Sequence, residues 1–192
     1  MSSNDDKKPR LLVFAGPNGS GKSTVTRGLP IVGLYINADD IKKFSGCTDL
    51  EAALEAEALR NRLVDRKMDF TFETVLSTDR NLELLQRAKS VGYEIHAVFV
   101  LTKDSAVNVR RVKDRVSKGG HDVPEEKIRS RYDRSLQRIA KLVRIADRTQ
   151  IVDNTGKEPS LICEVKSNTA QLWPNKYWSQ REILRLLTDN KP

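Results

Sequence analysis

The sequence predicts an α/β fold of three layers, with a mainly parallel sheet of about five to six strands between layers of helices. Two observations predict it. Short apolar segments of strand type alternate along the chain with segments of helical periodicity, and the first such pair is joined by a glycine-rich loop. The chain has 192 residues, 38% of them hydrophobic, which is enough to bury one core. We therefore expect residues 1–192 to form a single domain.

The first unit is a strand, a glycine loop and a helix in that order. Residues 11–15 are an apolar run of buried-strand type, and residues 24–29 continue as a helix that Pro30 ends. Between them lies Gly16-Pro17-Asn18-Gly19-Ser20-Gly21-Lys22-Ser23. This stretch matches G-x-x-x-x-G-K-[ST], the phosphate-binding loop of P-loop NTPases.

The loop predicts ATP and Mg²⁺ as cofactors. Its backbone N–H groups surround the phosphates, the Lys22 ammonium reaches the β- and γ-oxygens, and the Ser23 hydroxyl ligates the metal. The predicted nucleotide contacts are Gly16, Pro17, Asn18, Gly19, Ser20, Gly21, Lys22, Ser23 and Thr24. A glycine-rich turn without a nucleotide is the alternative explanation of the same pattern.

The next elements continue the alternation. Residues 32–36 read as a second strand, which Asn37-Ala38-Asp39-Asp40 follows, and Asp40 is a candidate N-cap of a short helix. A capping box at Thr48 and Glu51 opens a helix to about residue 68. A strand over 70–75, a helix over 79–91 and a strand over 94–101 come next.

A basic segment occupies about residues 103–148 and has 14 Lys and Arg against 7 Asp and Glu. Helices over 104–117 and 124–145 flank a break at Gly119-Gly120, which is typical of the lid that closes over the γ-phosphate in small kinases. A fifth strand at 150–153 and a turn leading into a hairpin at 161–165 follow. Residues 157–192 form a C-terminal appendage with a short helix over 179–187.

Several side chains are candidates for chemistry, each with a structural alternative. Asp39 is a candidate general base or a helix cap, and Glu73 a magnesium ligand or a plain strand-end acid. Arg111 and Arg115 share a helix face that could meet the transferring phosphate, or form a solvated basic face. His121 is more typical of a hydrogen-bonding or exposed residue than of a catalyst.

Composition limits the function classes. The net charge of +8 is concentrated in the basic segment, which suits a polyanionic small ligand better than an extended nucleic-acid face. Apolar runs are far shorter than the roughly 18 residues of a membrane span, and the polar N-terminus has no signal-peptide pattern. Cys47 and Cys163 lack disulfide or zinc spacing. We expect a cytoplasmic protein with free thiols and no membrane partner.

Taken together, these motifs resemble the zeta toxin family of kinases over about residues 10–156. The motifs are Gly16-Pro-Asn-Gly-Ser-Gly-Lys-Ser-Thr24, Asn37-Ala-Asp-Asp40, Phe72-Glu-Thr-Val-Leu-Ser77, Gly92-Tyr93, Arg111-Val112, Arg115-Val116-Ser-Lys-Gly-Gly-His121-Asp-Val-Pro124, Arg131-Tyr132-Asp133-Arg134-Ser135-Leu136 and Asp153-Asn154. The resemblance implies ATP- and Mg²⁺-dependent phosphorylation of a UDP-activated amino sugar, typically the 3′-hydroxyl of UDP-N-acetylglucosamine. It also implies a small protein antitoxin as a possible partner.

By position, the family's catalytic base falls on Asp39 and its helix acid on Glu57, which is otherwise an ordinary exposed helical acid. The lid arginines fall near Arg111 and Arg115. The predicted substrate contacts are Asp39, Glu57, Glu73, Thr74, His121 and Arg131; Ser23 and Glu73 are the predicted metal ligands, and Asn154 is a further nucleotide contact.

Two departures from the family lie on the substrate side. Founding members carry an arginine shortly after the strand-end glutamate, where this chain has Thr74-Val75-Leu76-Ser77, and an arginine in the lid, where it has Gly119-Gly120-His121. A P-loop kinase of another small molecule, such as an antibiotic or metabolite, or of a nucleic-acid 5′-hydroxyl is therefore the alternative function. A non-catalytic ATP-gated partner protein is a third.

Overall fold

The computed structural model describes residues 7–188. The strands are β1 (Arg10–Ala15), β2 (Leu34–Ile36), β3 (Phe70–Thr74), β4 (Glu94–Leu101), β5 (Arg148–Asp153), β6 (Ser160–Lys166) and β7 (Thr169–Leu172). The helices are α1 (Lys22–Thr26), α2 (Ala38–Ser45), α3 (Asp49–Asp65), α4 (Arg80–Ser90), α5 (Ser105–Val116), α6 (Glu125–Leu136), α7 (Ile139–Ile145) and α8 (Gln180–Leu186). Two segments lie outside this range, residues 1–6 and residues 189–192. The expectation that the polar N-terminus is not a signal peptide falls partly on residues 1–6.

The strands form one sheet in the order β2-β3-β1-β4-β5-β6-β7. Neighbours from β2 to β5 run parallel, while β6 and β7 are antiparallel. The predicted α/β fold with a mainly parallel sheet is confirmed. Within the described residues the sheet has seven strands rather than five to six, because β7 has only four residues, most of them exposed, and a stretch that short does not mark a strand in the sequence.

The main core lies on one face of the sheet, where α3, α4, α7 and α8 pack on the side chains of Val13, Phe72 and Phe99. A smaller cluster around Phe14 and Val100 lies on the other face, against α1 and the segment that follows it. The helices α5 and α6 share a separate cluster, built from Val109, Val112, Val123 and Ile128. They cover the carboxyl-terminal edge of the sheet rather than either face.

Strand register brings several loops to that edge. Ala15 at the end of β1 is paired with Thr74 of β3 on one side and with Phe99 of β4 on the other, and Ile36 of β2 is paired with Phe72. The loops that leave β1, β2 and β3 therefore start side by side. In an open parallel sheet, this edge is where ligands bind.

Three predicted boundaries were wrong. The helix expected over 124–145 is two helices, because Ile128 of α6 packs in the α5–α6 cluster whereas Ile139 of α7 packs in the main core, and one straight helix cannot face both. The first helix ends at Thr26 rather than near residue 29. Asn37, and not Asp40, is the N-cap of α2, since its side chain accepts a hydrogen bond from the backbone N–H of Asp39.

Other local predictions were confirmed. Thr48 and Glu51 form the capping box of α3, with both reciprocal hydrogen bonds present. Gly92 follows α4 with φ +98°, the left-handed backbone expected of a glycine after a helix. Among residues 7–188, no helix combines the length and the apolar character that crossing a bilayer requires.

Candidate active site

The glycines of the loop between β1 and α1 are required by their backbone angles and by their neighbours. Gly19 has φ +75° and Gly21 has φ +86°, values that residues other than glycine rarely adopt. A Cβ on Gly19 would lie 2.5 Å from the carbonyl oxygen of Asn108, and a Cβ on Gly21 would lie 2.1 Å from Asn154 Nδ2. The loop is therefore fixed by the elements packed against it.

Side-chain amides hold the loop through its carbonyl groups. Asn108 of α5 donates to the carbonyl of Asn18 at 2.7 Å, and Asn154, which follows β5, donates to the carbonyl of Ser20 at 2.8 Å. Both amides are almost fully buried. Asn154, predicted as a nucleotide contact, thus lies behind the loop and supports it.

The N–H groups of the loop point the other way. Within the described residues, the backbone N–H groups of Gly19, Gly21, Lys22 and Ser23 donate to no protein acceptor. Free N–H groups on a tight loop form a concave site for anions, and they are what a phosphate group would bind. The Ser20 hydroxyl is buried there without a hydrogen-bond partner.

Lys22 is folded back over the loop. Its Nζ donates to the carbonyls of Gly16 at 2.8 Å and Pro17 at 3.3 Å. Burial lowers the pKa of Lys22 below its ordinary value, and the nearby carboxylates of Glu73 and Asp39 oppose that shift. Glu73 and Asp39 are close enough to the Lys22 ammonium group to affect its pKa, so the three residues belong to the same site.

Asp39 lies in the first turn of α2, with an exposed side chain that lines the cleft in front of the loop. Since Asn37 is the cap, the Asp39 carboxylate is not used as one. This removes the structural alternative for Asp39 and leaves its side chain available to a ligand.

Glu73 of β3 is half-buried and lines the same cleft. Its Oε1 accepts a hydrogen bond of 2.5 Å from the Tyr35 hydroxyl on β2. Burial first, and then the Glu73 carboxylate, raise the pKa of Tyr35 well above its ordinary value. The tyrosine therefore stays protonated and keeps donating.

The basic helices supply arginines to the loop. Arg111 donates to the carbonyl of Gly156 at 3.2 Å and to that of Ser20 at 3.5 Å, and its pKa is lowered, mainly by burial. Arg131 of α6 donates to Asn18 Oδ1 at 3.2 Å.

Arg115 donates to the carbonyl of His121 at 2.7 Å, which ties the end of α5 to the segment after the Gly119-Gly120 break. Arg134 turns back to the Ser130 carbonyl on its own helix. Arg111, Arg115 and Arg131 line the cleft, whereas Arg134 does not.

These groups enclose one cleft of about 620 Å³. The predicted site residues that line it are Asn18, Gly19, Gly21, Lys22, Ser23, Thr24, Asp39, Glu73, Thr74, Arg111, Arg115, His121 and Arg131. The Thr74 hydroxyl is already engaged, because it accepts hydrogen bonds from the Leu76 N–H and from the Asn81 amide.

The structure places Glu57 outside the cleft that the other predicted substrate contacts line, and its contact with substrate stays a prediction. Glu57 lies one turn further along α3 than Ala53, which does line the cleft, and its carboxylate is 3.4 Å from Arg80 in a neighbouring hollow. The acid that α3 presents to the cleft is Asp49, which pairs with Lys42 at 2.6 Å.

The sequence analysis did not identify Asp49. The sequence pattern that could have identified it is the spacing of Asp49, Ala52 and Ala53. These residues share one side of the first turn of a helix, where an acid and two small side chains leave room for a ligand.

The C-terminal segment is fastened behind the site. The indole Nε1 of Trp178 donates to Asp153 Oδ1 at 3.0 Å, and Asp153 directly precedes Asn154. Lys103 Nζ lies 4.5 Å from the centre of the Trp178 ring and 2.5 Å from Glu182 of α8. We call Lys103, Asp153, Trp178 and Glu182 the C-terminal clasp.

Comparisons with known proteins agree with this arrangement. The family model described as Zeta toxin matches residues 33–176. An uncharacterized protein of Haemophilus influenzae is 27% identical over 129 residues, which cover 64% of this chain and 92% of that protein.

Solved structures share the fold at low identity. The structure of the PezAT chromosomal toxin-antitoxin system of Streptococcus pneumoniae is 20% identical, with a TM-score of 0.59 over 95% of this chain and 85% of that chain. The AvrRxo1-ORF1:-ORF2 complex with ATP is 12% identical, with a TM-score of 0.71 over 97% of this chain. This chain spans 66% of that longer one. Since the family model covers well over half of the sequence, the chain belongs to the zeta toxin family.

Proposed function

We propose that this protein is a kinase that transfers the γ-phosphate of ATP to a hydroxyl group of a small molecule. The observation that carries the proposal is the single cleft in which the phosphate loop with Lys22, the exposed carboxylate of Asp39, and Arg111 and Arg115 face one another. Phosphoryl transfer needs a positioned donor, a base for the acceptor hydroxyl and positive charge around the transferring group. Each is represented in the cleft.

On the donor side, the free N–H groups of the loop and Lys22 bind the β- and γ-phosphates. The segment of about residues 103–148 acts as a lid of one kinase domain, and its arginines neutralise charge that spreads over the γ-phosphate oxygens in the transition state. Arg111 and Arg131 already contact the loop, so the lid and the loop form one unit. Asn154 supports this unit through its hydrogen bond to the Ser20 carbonyl.

A magnesium ion fits the donor set. Residues 7–188 contain no group of His, Cys, Asp and Glu side chains that would hold a metal ion by themselves. The Ser23 hydroxyl and the Glu73 carboxylate are oxygen donors in the same cleft, and Mg²⁺ commonly takes only one or two protein ligands, with phosphates and waters for the rest. When bound with ATP, the ion would neutralise phosphate charge.

On the acceptor side, Asp39 is the general base. Its carboxylate accepts the proton of the attacking hydroxyl as that oxygen bonds to the γ-phosphorus, and the bond from phosphorus to the β–γ bridging oxygen breaks. A base of this kind contributes about 10²- to 10⁴-fold in rate. ADP leaves with the electron pair of the broken bond.

The family resemblance suggests a UDP-activated amino sugar as the acceptor, with the 3′-hydroxyl of UDP-N-acetylglucosamine first. It also suggests a small protein antitoxin; PezAT is described as a toxin-antitoxin system and AvrRxo1-ORF1:-ORF2 as a complex. We carry both suggestions over to this chain as part of the proposal.

One observation favours a second candidate, a phosphate-free acceptor such as a polyol or an amino sugar. The cationic residues that line the cleft lie on the loop and the basic helices, namely Lys22, Arg111, Arg115 and Arg131. The opposite wall, from α2, α3 and β3, carries Asp39 and Glu73 together with Asp49, whose charge Lys42 compensates. Carboxylates repel a second diphosphate group and attract hydroxyl and ammonium groups.

Mass spectrometry of products from ATP, Mg²⁺ and a mixture of UDP-sugars and phosphate-free sugars tests the proposal. We expect one acceptor to gain a phosphate, and the Asp39→Asn variant to lose turnover about 10²- to 10⁴-fold while it still binds ATP. The matched control is Asp40→Asn, because Asp40 is the next residue of α2 and is not among the residues that line the cleft. Full turnover in Asp39→Asn would refute the assignment of the base.

A further inference from the structure

Tyr35 has a role that its packing alone does not require. Its ring packs against the smaller apolar cluster that contains Phe14, as a phenylalanine ring would. Its hydroxyl, in addition, lies 2.5 Å from Glu73 Oε1. Glu73 belongs to the neighbouring strand, so this bond crosses from β2 to β3 at the edge of the sheet where the cleft opens.

Asn37, two residues after Tyr35, lines the same cleft. Its side chain accepts a hydrogen bond of 3.0 Å from the backbone N–H of Asp39. Two hydrogen bonds therefore fix neighbouring parts of the same cleft wall, the one from Tyr35 to Glu73 and the one from Asp39 to Asn37. Neither of them involves a lysine or an arginine.

The geometry restricts the Glu73 side chain. A glutamate side chain has freely rotating bonds, and a charge-assisted hydrogen bond to a ring fixed by packing selects one orientation of its carboxylate. Asn37, as the N-cap, separately sets the direction in which α2 leaves β2 and therefore where Asp39 enters the cleft. The Glu73 carboxylate thus depends on one side chain of β2.

We propose that Tyr35 is a positioning residue that orients the Glu73 carboxylate toward the bound metal and nucleotide. This inference rests on the proposed function. It assigns to Tyr35 a function in the reaction, through Glu73, rather than a function in stability.

The Tyr35→Phe variant removes the hydroxyl and keeps the ring. The matched control is Tyr93→Phe, because the Tyr93 hydroxyl also donates to protein acceptors, the carbonyls of Leu63 and Met68 at 2.8 Å, but lies in the core on the other face of the sheet. Thermal unfolding of both variants shows whether each one folds.

The first measurement needs no acceptor. Binding of Mn²⁺ in the presence of ATP, followed by electron paramagnetic resonance, reports the metal site directly. Because a hydrogen bond to a charged group contributes about 1.5–3 kcal/mol, we expect the Mn²⁺ dissociation constant to rise by about 10- to 100-fold in Tyr35→Phe and to be unchanged in Tyr93→Phe. Equal Mn²⁺ affinity in Tyr35→Phe and the unmutated chain would overturn the inference.

The second measurement is turnover with the acceptor that the mass-spectrometry experiment identifies. We expect kcat of Tyr35→Phe to fall by at least tenfold while KM for ATP changes little, because the loop and lid are untouched, and a high Mg²⁺ concentration to restore part of kcat. A loss of the same size in Tyr93→Phe would show that both tyrosines act through stability and would also overturn the inference. If the unmutated chain phosphorylates no acceptor, the proposed function fails, whereas the Mn²⁺ experiment still decides the role of Tyr35.

Discussion

Replacing Gly21 by alanine should show that the phosphate loop and Asn154 depend on each other. Gly21 has φ +86°, and a Cβ built there lies 2.1 Å from Asn154 Nδ2. The new methyl group must therefore displace the amide that donates to the Ser20 carbonyl at 2.8 Å. The substitution strains the backbone and breaks a buried hydrogen bond at the same time.

The backbone strain and the lost hydrogen bond are two separate free-energy costs, and only the second depends on Asn154. A left-handed backbone costs an alanine about 1–2 kcal/mol, and a buried carbonyl without its donor costs about 1–3 kcal/mol, so Gly21→Ala should lower the free energy of unfolding by about 2–5 kcal/mol. In an Asn154→Ala background the hydrogen bond is already absent. There, the same substitution should cost only the strain of about 1–2 kcal/mol.

Urea unfolding of the unmutated chain, the two single variants and the double variant measures the coupling. We expect it to be about 1–3 kcal/mol in the favourable direction. Gly28→Ala is the control, because a Cβ on Gly28 would have nothing within 4 Å, and we expect its free energy of unfolding to change by less than about 0.5 kcal/mol. If Gly21→Ala costs the same in both backgrounds, the contact with Asn154 is not what makes the glycine necessary.

Three further predictions concern other parts of the chain. The hydrogen bonds of Glu182 lower its pKa to about 2, so the stabilisation that they give is present above the ordinary pKa of 4.5 and is lost as the pH falls towards 2. The fluorescence of Trp178, in a variant whose other tryptophan is replaced, should change as Glu182 becomes protonated. Burial raises the pKa of Cys163 from 9.0 to about 11, so the free energy of unfolding should fall as the pH rises across that range. In the Cys163→Ala variant this decrease in the free energy of unfolding should be absent. In the folded chain at pH 8, a thiol reagent should modify Cys47 alone. Arg60→Met should leave the free energy of unfolding unchanged or raise it by about 1 kcal/mol, because the buried Arg60 Nε has no hydrogen-bond partner. Urea unfolding measures this, and a decrease in the free energy of unfolding of more than about 2 kcal/mol would contradict the prediction.

The parts of the fold that depend on short stretches of sequence were predictable. The strand, loop and helix around Lys22 follow from local backbone chemistry, and the capping box at Thr48 is a local pattern of the same kind. Asp39 and Glu73 could be placed near the loop because the carboxyl ends of parallel strands meet at one edge. Their chemical roles stay predictions.

The remaining features depend on distant contacts. Whether residues 124–145 form one helix or two is decided by which cluster Ile128 and Ile139 enter, and this depends on the whole fold. Glu57 lies beside Arg80 and outside the cleft, a position that could not be predicted because a spacing of residues along α3 does not specify how the helix is rotated against the sheet. The rotation that buries Ala52 and Ala56 presents Asp49 to the cleft instead.

The C-terminal clasp has a practical consequence for truncated or fused forms of this protein. A chain cut after residue 172 would keep every strand of the described sheet, yet it would lose Trp178 and leave the buried Asp153 carboxylate without its indole donor, one residue before the amide that supports the phosphate loop. Such a form would also lose Trp178 and Ile183 from the main core, so we expect it to be less stable and to bind ATP more weakly. The C-terminal clasp thus supports the phosphate loop without lining the cleft, and the boundaries of a shortened protein should preserve it.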